Sequence, residues 1–177
     1  HSQGGWAVII STSQHSDIAF YITLAGPART MYDTSWDNSY HSGMCSGLED
    51  QELENYINRH MQLVDAGMRI GELTNLGHFG FDARNMHYDP ANDLRTITQP
   101  GLMLYGEYDN VVTTSLNLEL LDTIFEGNVP DRITTYSVHE ANHMFQIVPD
   151  LCAPHIPNLS SEYVEVVNTW LDEHLPQ

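Results

Sequence analysis

The sequence predicts an α/β fold: parallel strands with flanking helices, interrupted by one long helical insertion. Three observations lead there. Apolar or β-branched runs of strand length stand at residues 17–24 (DIAFYITL), 101–105 (GLMLY) and 132–138 (RITTYSV). The first two are almost continuously apolar, which marks strands buried on both faces, as parallel strands are. Helical patterns separate and follow these runs at the spacing of βαβ units. The third observation is that residues 29–96 fit neither pattern, being polar and rich in Asn and Asp.

Taken in order, the glycine turn at Gly4-Gly5 leads into an apolar stretch, residues 6–13, that predicts a short helix with Trp6 in its core. The strand at 17–24 is broken by Ala25-Gly26-Pro27. Within residues 29–96 one helix is clear, from about Leu48 to Gly67. Leu53, Ile57, Met61 and Val64 fall at helical spacing, and Glu49, Glu52 and Glu54 suit the positive end of its dipole. Gly67 is the expected C-cap. The remainder, through Gly77-His78-Phe79-Gly80-Phe81 and Asp89-Pro90, reads as loops and short helices. Met31, Tyr32, Trp36, Tyr40, Met44, Phe79 and Phe81 either line an apolar pocket there or pack the insertion onto the body.

Regularity returns at Pro100. The strand 101–105 ends at Gly106, a helix over 113–125 carries Leu116, Leu120, Leu121 and Ile124, and the strand 132–138 follows. A closing helix over 160–175 has Ser160 as its N-cap and Val164, Val167, Trp170 and Leu171 on one side. No internal repeat interrupts this order. The expectation is a single domain, residues 1–177, with 29–96 as a lid or cap insertion.

Composition narrows the function. The chain has 177 residues, 41% of them apolar, enough for a real core. No apolar run approaches the ~18 residues that span a bilayer. Twenty-four acidic residues face six arginines and no lysine, a formal net charge of -18. Such a surface repels phosphate backbones, so nucleic acid is not an expected partner. The acidity itself fits either an ordinary acidic protein or one adapted to high salt, where screening relieves self-repulsion. Cys45 and Cys152 make no disulfide framework; the sequence leaves open whether they pair, and free, partly buried thiols are the default expectation.

The residues that could carry chemistry stand at strand ends. His1-Ser2-Gln3-Gly4-Gly5-Trp6 matches the latter part of a nucleophile elbow, G-x-S-x-G, in which a strained strand-to-helix turn lifts a serine hydroxyl out of the sheet. Gly4 fills the second glycine position, and small residues are needed because backbones approach closely. Acid and base should follow in the order Ser, Asp or Glu, His. Gly106-Glu107-Tyr108-Asp109 comes directly after one strand, and Asn142-His143 a few residues after the next. One helix and one strand lie between them, so both emerge at the same sheet edge. Glu107 is a rival acid and His139 a rival base.

HSQGGW, LAGPA (24–28), PGLMLYGEYDNVV (100–112) and ANHMF (141–145) resemble the α/β-hydrolase superfamily, nearest to its esterase, dienelactone-hydrolase-like and prolyl-oligopeptidase-like branches. The resemblance covers residues 1–28 and 97–177 and implies the C-terminal part of that fold, beginning inside the elbow. It makes Ser2 the nucleophile, His143 the base, Asp109 the residue that orients the imidazole, and the backbone N–H of Gln3 an oxyanion donor. It implies a serine hydrolase acting on a small-molecule ester, thioester or peptide, ester favoured, with no cofactor. His1 would line the site without a catalytic role. A second oxyanion donor would come from a loop that this chain lacks, so the chain alone is expected to be inactive. It is also expected to fold poorly, with the strand at 17–24 presenting an unpaired edge and the first helix partly uncovered.

Two other readings compete. His139-Glu140-Ala141-Asn142-His143 is H-E-x-x-H, which on a helix binds Zn²⁺ through both histidines with Glu as general base, Glu162 being a possible third ligand. That motif needs a helix, whereas a β-branched run leads straight into His139. The last reading is a catalytically silent hydrolase-like fragment.

Overall fold

The structure is a computed structural model that describes residues 1–74, 83–154 and 157–174. It divides into two compact units, Arg29–Asp89 and the remainder, His1–Ala28 with Pro90–Gln177.

In the larger unit three parallel strands form an open sheet in the order β1-β2-β3: β1 (Tyr21–Leu24), β2 (Gly101–Gly106) and β3 (Ile133–Val138). Tyr21 pairs with Gly101, and Gly101 with Ile133. β1 is shorter than the apolar run at 17–24. Its partner strand starts only at Gly101, and the Tyr21 amide already donates to the Pro100 carbonyl at 3.1 Å, so residues 17–20 have no ladder to join.

β2 is central and buried throughout. Its pleat sends Met103 and Tyr105 to one face and Leu102 and Leu104 to the other. The first face packs on α1 (Gly4–Gln14), α4 (Ala91–Thr96) and α5 (Thr114–Ile124) through Ile9, Leu94, Leu121 and Ile124. The second packs on Trp170 of α6 (Glu162–His174) and on Phe145. Trp6 and Ile9 of α1 are buried, whereas Val8 and Ile10 are half-buried, so the helix is covered along one side only. Ser160 lies before α6, its hydroxyl accepting the Glu162 N–H at 3.2 Å. Residues 90–96 pack with the sheet, Leu94 being fully buried, so the smaller unit ends at Asp89.

The unit Arg29–Asp89 is built on α2 (Met31–Cys45) and α3 (Asp50–Thr74). α3 runs past Gly67, because Gly67 does not adopt the left-handed φ that a glycine cap requires. α2, 15 residues long, stands where loops and short helices were expected. Thr30 caps it, its hydroxyl accepting the Asp33 N–H at 3.0 Å. Thr34, Ser35 and Ser39 turn their hydroxyls back onto carbonyls four residues earlier, which satisfies them inside the helix, and the residues that α2 buries, Asp37, Ser39, His41 and Gly43, form no apolar stripe. Trp36 and Tyr40 stack on one another on its surface. A pocket of about 330 Å³ in this unit is lined instead by His60, Leu63, Val64, Gly67, Met68, Ala83 and Met86. Phe79 and Phe81 lie outside the described residues.

Neither cysteine is a free thiol: Cys45 and Cys152 are each disulfide-bonded, correcting the sequence expectation. Distance along the chain does not report on pairing, which depends on Cβ geometry. Among the described residues no helix is long and apolar enough to cross a membrane.

Candidate active site

Three turns at the carboxyl ends of the parallel strands bring Ser2, Asp109 and His143 together, the edge at which open α/β sheets place their ligands. Ser2 is held in the left-handed region at φ 52°, unusual for a residue with a side chain. Its N–H donates to the Leu24 carbonyl at the end of β1 (2.9 Å), and its carbonyl accepts the Gly5 N–H as α1 begins (2.7 Å). This fastens the turn to both neighbours. The close approach that demands a small residue falls on Gly5 rather than Gly4. A Cβ on Gly5 would lie 2.5 Å from the Gly26 Cα, whereas one on Gly4 would meet nothing within 4 Å.

Asp109 sits three residues beyond β2, its side chain fully buried. One carboxylate oxygen accepts the N–H groups of Val111 (2.9 Å) and Val112 (2.7 Å), and the other faces His143 Nδ1 at 2.9 Å. A carboxylate only accepts, so Nδ1 carries the proton and Nε2 presents its lone pair. Nε2 lies 3.0 Å from the Ser2 hydroxyl oxygen. The serine proton therefore has an acceptor, and the acceptor has an orienting carboxylate.

The His143 turn is itself cross-braced. The Asn142 side-chain oxygen accepts the N–H groups of Met144 (2.9 Å) and Gln146 (3.0 Å), and His1 Nε2 donates to the His143 carbonyl at 2.9 Å. Gly106 is obligatory beneath it: a Cβ there would come 2.4 Å from the Ala141 carbonyl oxygen and 2.5 Å from that of Asn142. Below the site, burial holds the Tyr105 phenol far above its usual range, with Tyr21 and Asp109 pushing the same way. Burial likewise pushes the Tyr21 phenol up to about 12 against the pull of Arg132.

The Gln3 N–H, at the start of α1, donates to no described partner, and the helix dipole there favours negative charge. Glu107 and His139 bond to each other rather than to Ser2 or His143, Glu107 Oε2 accepting from His139 Nδ1 at 2.7 Å. Residues 139–143 form turns and an isolated bridge, not a helix, with Glu140 left-handed at φ 50°. The two histidines of H-E-x-x-H thus address different partners, and the zinc reading loses the helix it requires. Among the described residues no group of three or more His, Cys, Asp or Glu side chains could hold a metal ion.

No protein-family model and no curated protein matches the chain. Among solved structures it is similar to an esterase of Pyrococcus furiosus, with a TM-score of 0.53 at 13% identity, covering 99% of this chain and 52% of that one. The class thus defined is a partial α/β fold, an open parallel sheet flanked by helices. The chain spans about half the length of that esterase.

Proposed function

We propose that the chain carries the catalytic residues of a serine hydrolase that cleaves carboxylic esters through an acyl-enzyme. The observation that carries this reading is the continuous hydrogen-bonded line from Ser2 Oγ through His143 to the buried Asp109, at 3.0 and 2.9 Å. Ser2 attacks the ester carbonyl carbon while His143 Nε2 takes the hydroxyl proton. The Gln3 N–H donates to the oxyanion. Nε2 then returns the proton to the leaving alcohol, and water, deprotonated by the same nitrogen, releases the acid and restores Ser2.

Asp109 keeps the proton on Nδ1 and stabilises the imidazolium. The neighbouring fold of an esterase supports esters over thioesters and peptides. In this reading Arg29–Asp89 is the cap insertion, and no cofactor takes part.

The test is hydrolysis of p-nitrophenyl esters and aminoacyl-nitroanilides by the full-length protein and its Ser2→Ala variant. Ester turnover lost with Ser2 supports the proposal. Turnover that survives Ser2→Ala, or that a chelator abolishes, overturns it, and the absence of any turnover returns the silent-fragment reading.

A further inference from the structure

We infer that Glu107 is a positioning residue for the same site, acting from the protein surface. This rests on the reading of Ser2, His143 and Asp109 as one catalytic unit. Glu107 lies two residues before Asp109, on the turn leaving β2, and Glu140 lies three before His143, on the turn leaving β3. Two backbone bonds tie these turns together, Glu107 N–H to the Val138 carbonyl at 3.0 Å and Tyr108 N–H to the Ala141 carbonyl at 2.8 Å.

Glu107 adds a side-chain tie. Its Oε2 accepts both the Glu140 N–H at 2.9 Å and His139 Nδ1 at 2.7 Å. Glu140 occupies the left-handed region, a conformation that costs free energy for a residue with a side chain and so needs support from around it. Its N–H is held by Glu107, and its carbonyl by the Val148 N–H at 2.9 Å. The preceding N–H, of His139, goes to Glu162 Oε2 at 3.0 Å, and Glu162 also accepts the Tyr136 hydroxyl at 2.7 Å.

Successive amides of one turn are therefore taken by carboxylates from two different elements. The result fixes the path by which the chain leaves β3 and reaches His143. An exposed ion pair as such contributes little; what matters is the acceptor that Glu107 supplies to a strained backbone. Loosening that turn lets the imidazole wander from the Asp109–Ser2 line, and displacements of an ångström or less are costly in catalysis.

The test compares wild type, Glu107→Ala and Glu107→Gln in the full-length protein. It reads two quantities: the rate of Ser2 labelling by a fluorophosphonate, and the proton NMR signal of His143 Nδ1–H. Glu107→Ala should label roughly tenfold more slowly, lose or broaden the Nδ1–H signal, and keep its melting temperature within a few degrees of wild type. Glu107→Gln retains an acceptor for the Glu140 N–H and should restore both readouts. A wild-type Nδ1–H signal in Glu107→Ala, or a glutamine variant as impaired as the alanine one, overturns the inference. The NMR signal is read whether or not Ser2 reacts, so failure of labelling in wild type counts against the proposed function alone.

Discussion

Two carboxylate–imidazole pairs span the same two turns, and their surroundings separate them. Asp109 and His143 meet at 2.9 Å with side chains 0% and 10% exposed; Glu107 and His139 meet at 2.7 Å with side chains 42% and 71% exposed. By distance alone the exposed pair is the better ion pair. Both carboxylates also accept backbone N–H groups, Asp109 from Val111 and Val112 and Glu107 from Glu140, yet only the buried pair continues to a serine. In water the attraction between such groups is screened and either partner can leave. In the interior neither partner can be removed without stranding the other. On the proposed reading, residue type and proximity do not distinguish the reactive pair from the bracing pair, whereas burial and the third partner do.

Breaking the buried pair should have the largest consequence. Ser2→Ala and His143→Ala should each lower ester turnover by on the order of 10⁴- to 10⁶-fold. Asp109→Asn should lower it by about 10⁴-fold, because an amide can favour the wrong imidazole tautomer. Steady-state kinetics on a p-nitrophenyl ester checks all three. Comparable losses from His139→Ala would erase the distinction between the pairs.

The turns that hold the pairs can be probed next, through stability. Gly106→Ala and Gly5→Ala force a Cβ against backbone atoms and should cost about 1–3 kcal/mol each. Gly4→Ala, with nothing within 4 Å, should be neutral or stabilising by up to about 1 kcal/mol in denaturant unfolding. The reverse ranking would contradict the geometry of the Ser2 turn.

The smallest effect concerns pH. The Glu140 N–H, followed by His139, holds the Glu107 carboxyl below its ordinary value of 4.5. A carboxyl lowered in the folded state contributes stability that is complete above its unfolded value and lost as pH falls through the folded one. The stability advantage of wild type over Glu107→Gln should therefore shrink as pH drops below about 4.5. Thermal melts across that range give the result, and a gap that widens on acidification would contradict it.

The strands and the strand-end positions of Ser2, Asp109 and His143 are legible in the sequence because each signal is local: an apolar run, then a turn residue. β1 is misjudged in length because ladder pairing depends on where its partner begins. α2 is illegible from apolar periodicity since the residues it buries, Asp37, Ser39, His41 and Gly43, are not apolar, although Thr30 followed by Asp33 is a capping signal. Gly4 answers the motif, but Gly5 answers the packing, because only the position of Gly26 shows which glycine is pressed. Glu107 and His139 look like rivals of Asp109 and His143 in one dimension. Their bracing role requires knowing that Glu140 is left-handed.

The central claim is that Ser2 is activated by His143 and Asp109, and the most direct measurement is mass spectrometric mapping of the full-length protein after fluorophosphonate treatment. The account predicts a single phosphonyl adduct on Ser2, absent in Ser2→Ala and formed far more slowly in His143→Ala. An adduct on another residue, or equal labelling of Ser2 with and without the His143 imidazole, would contradict it.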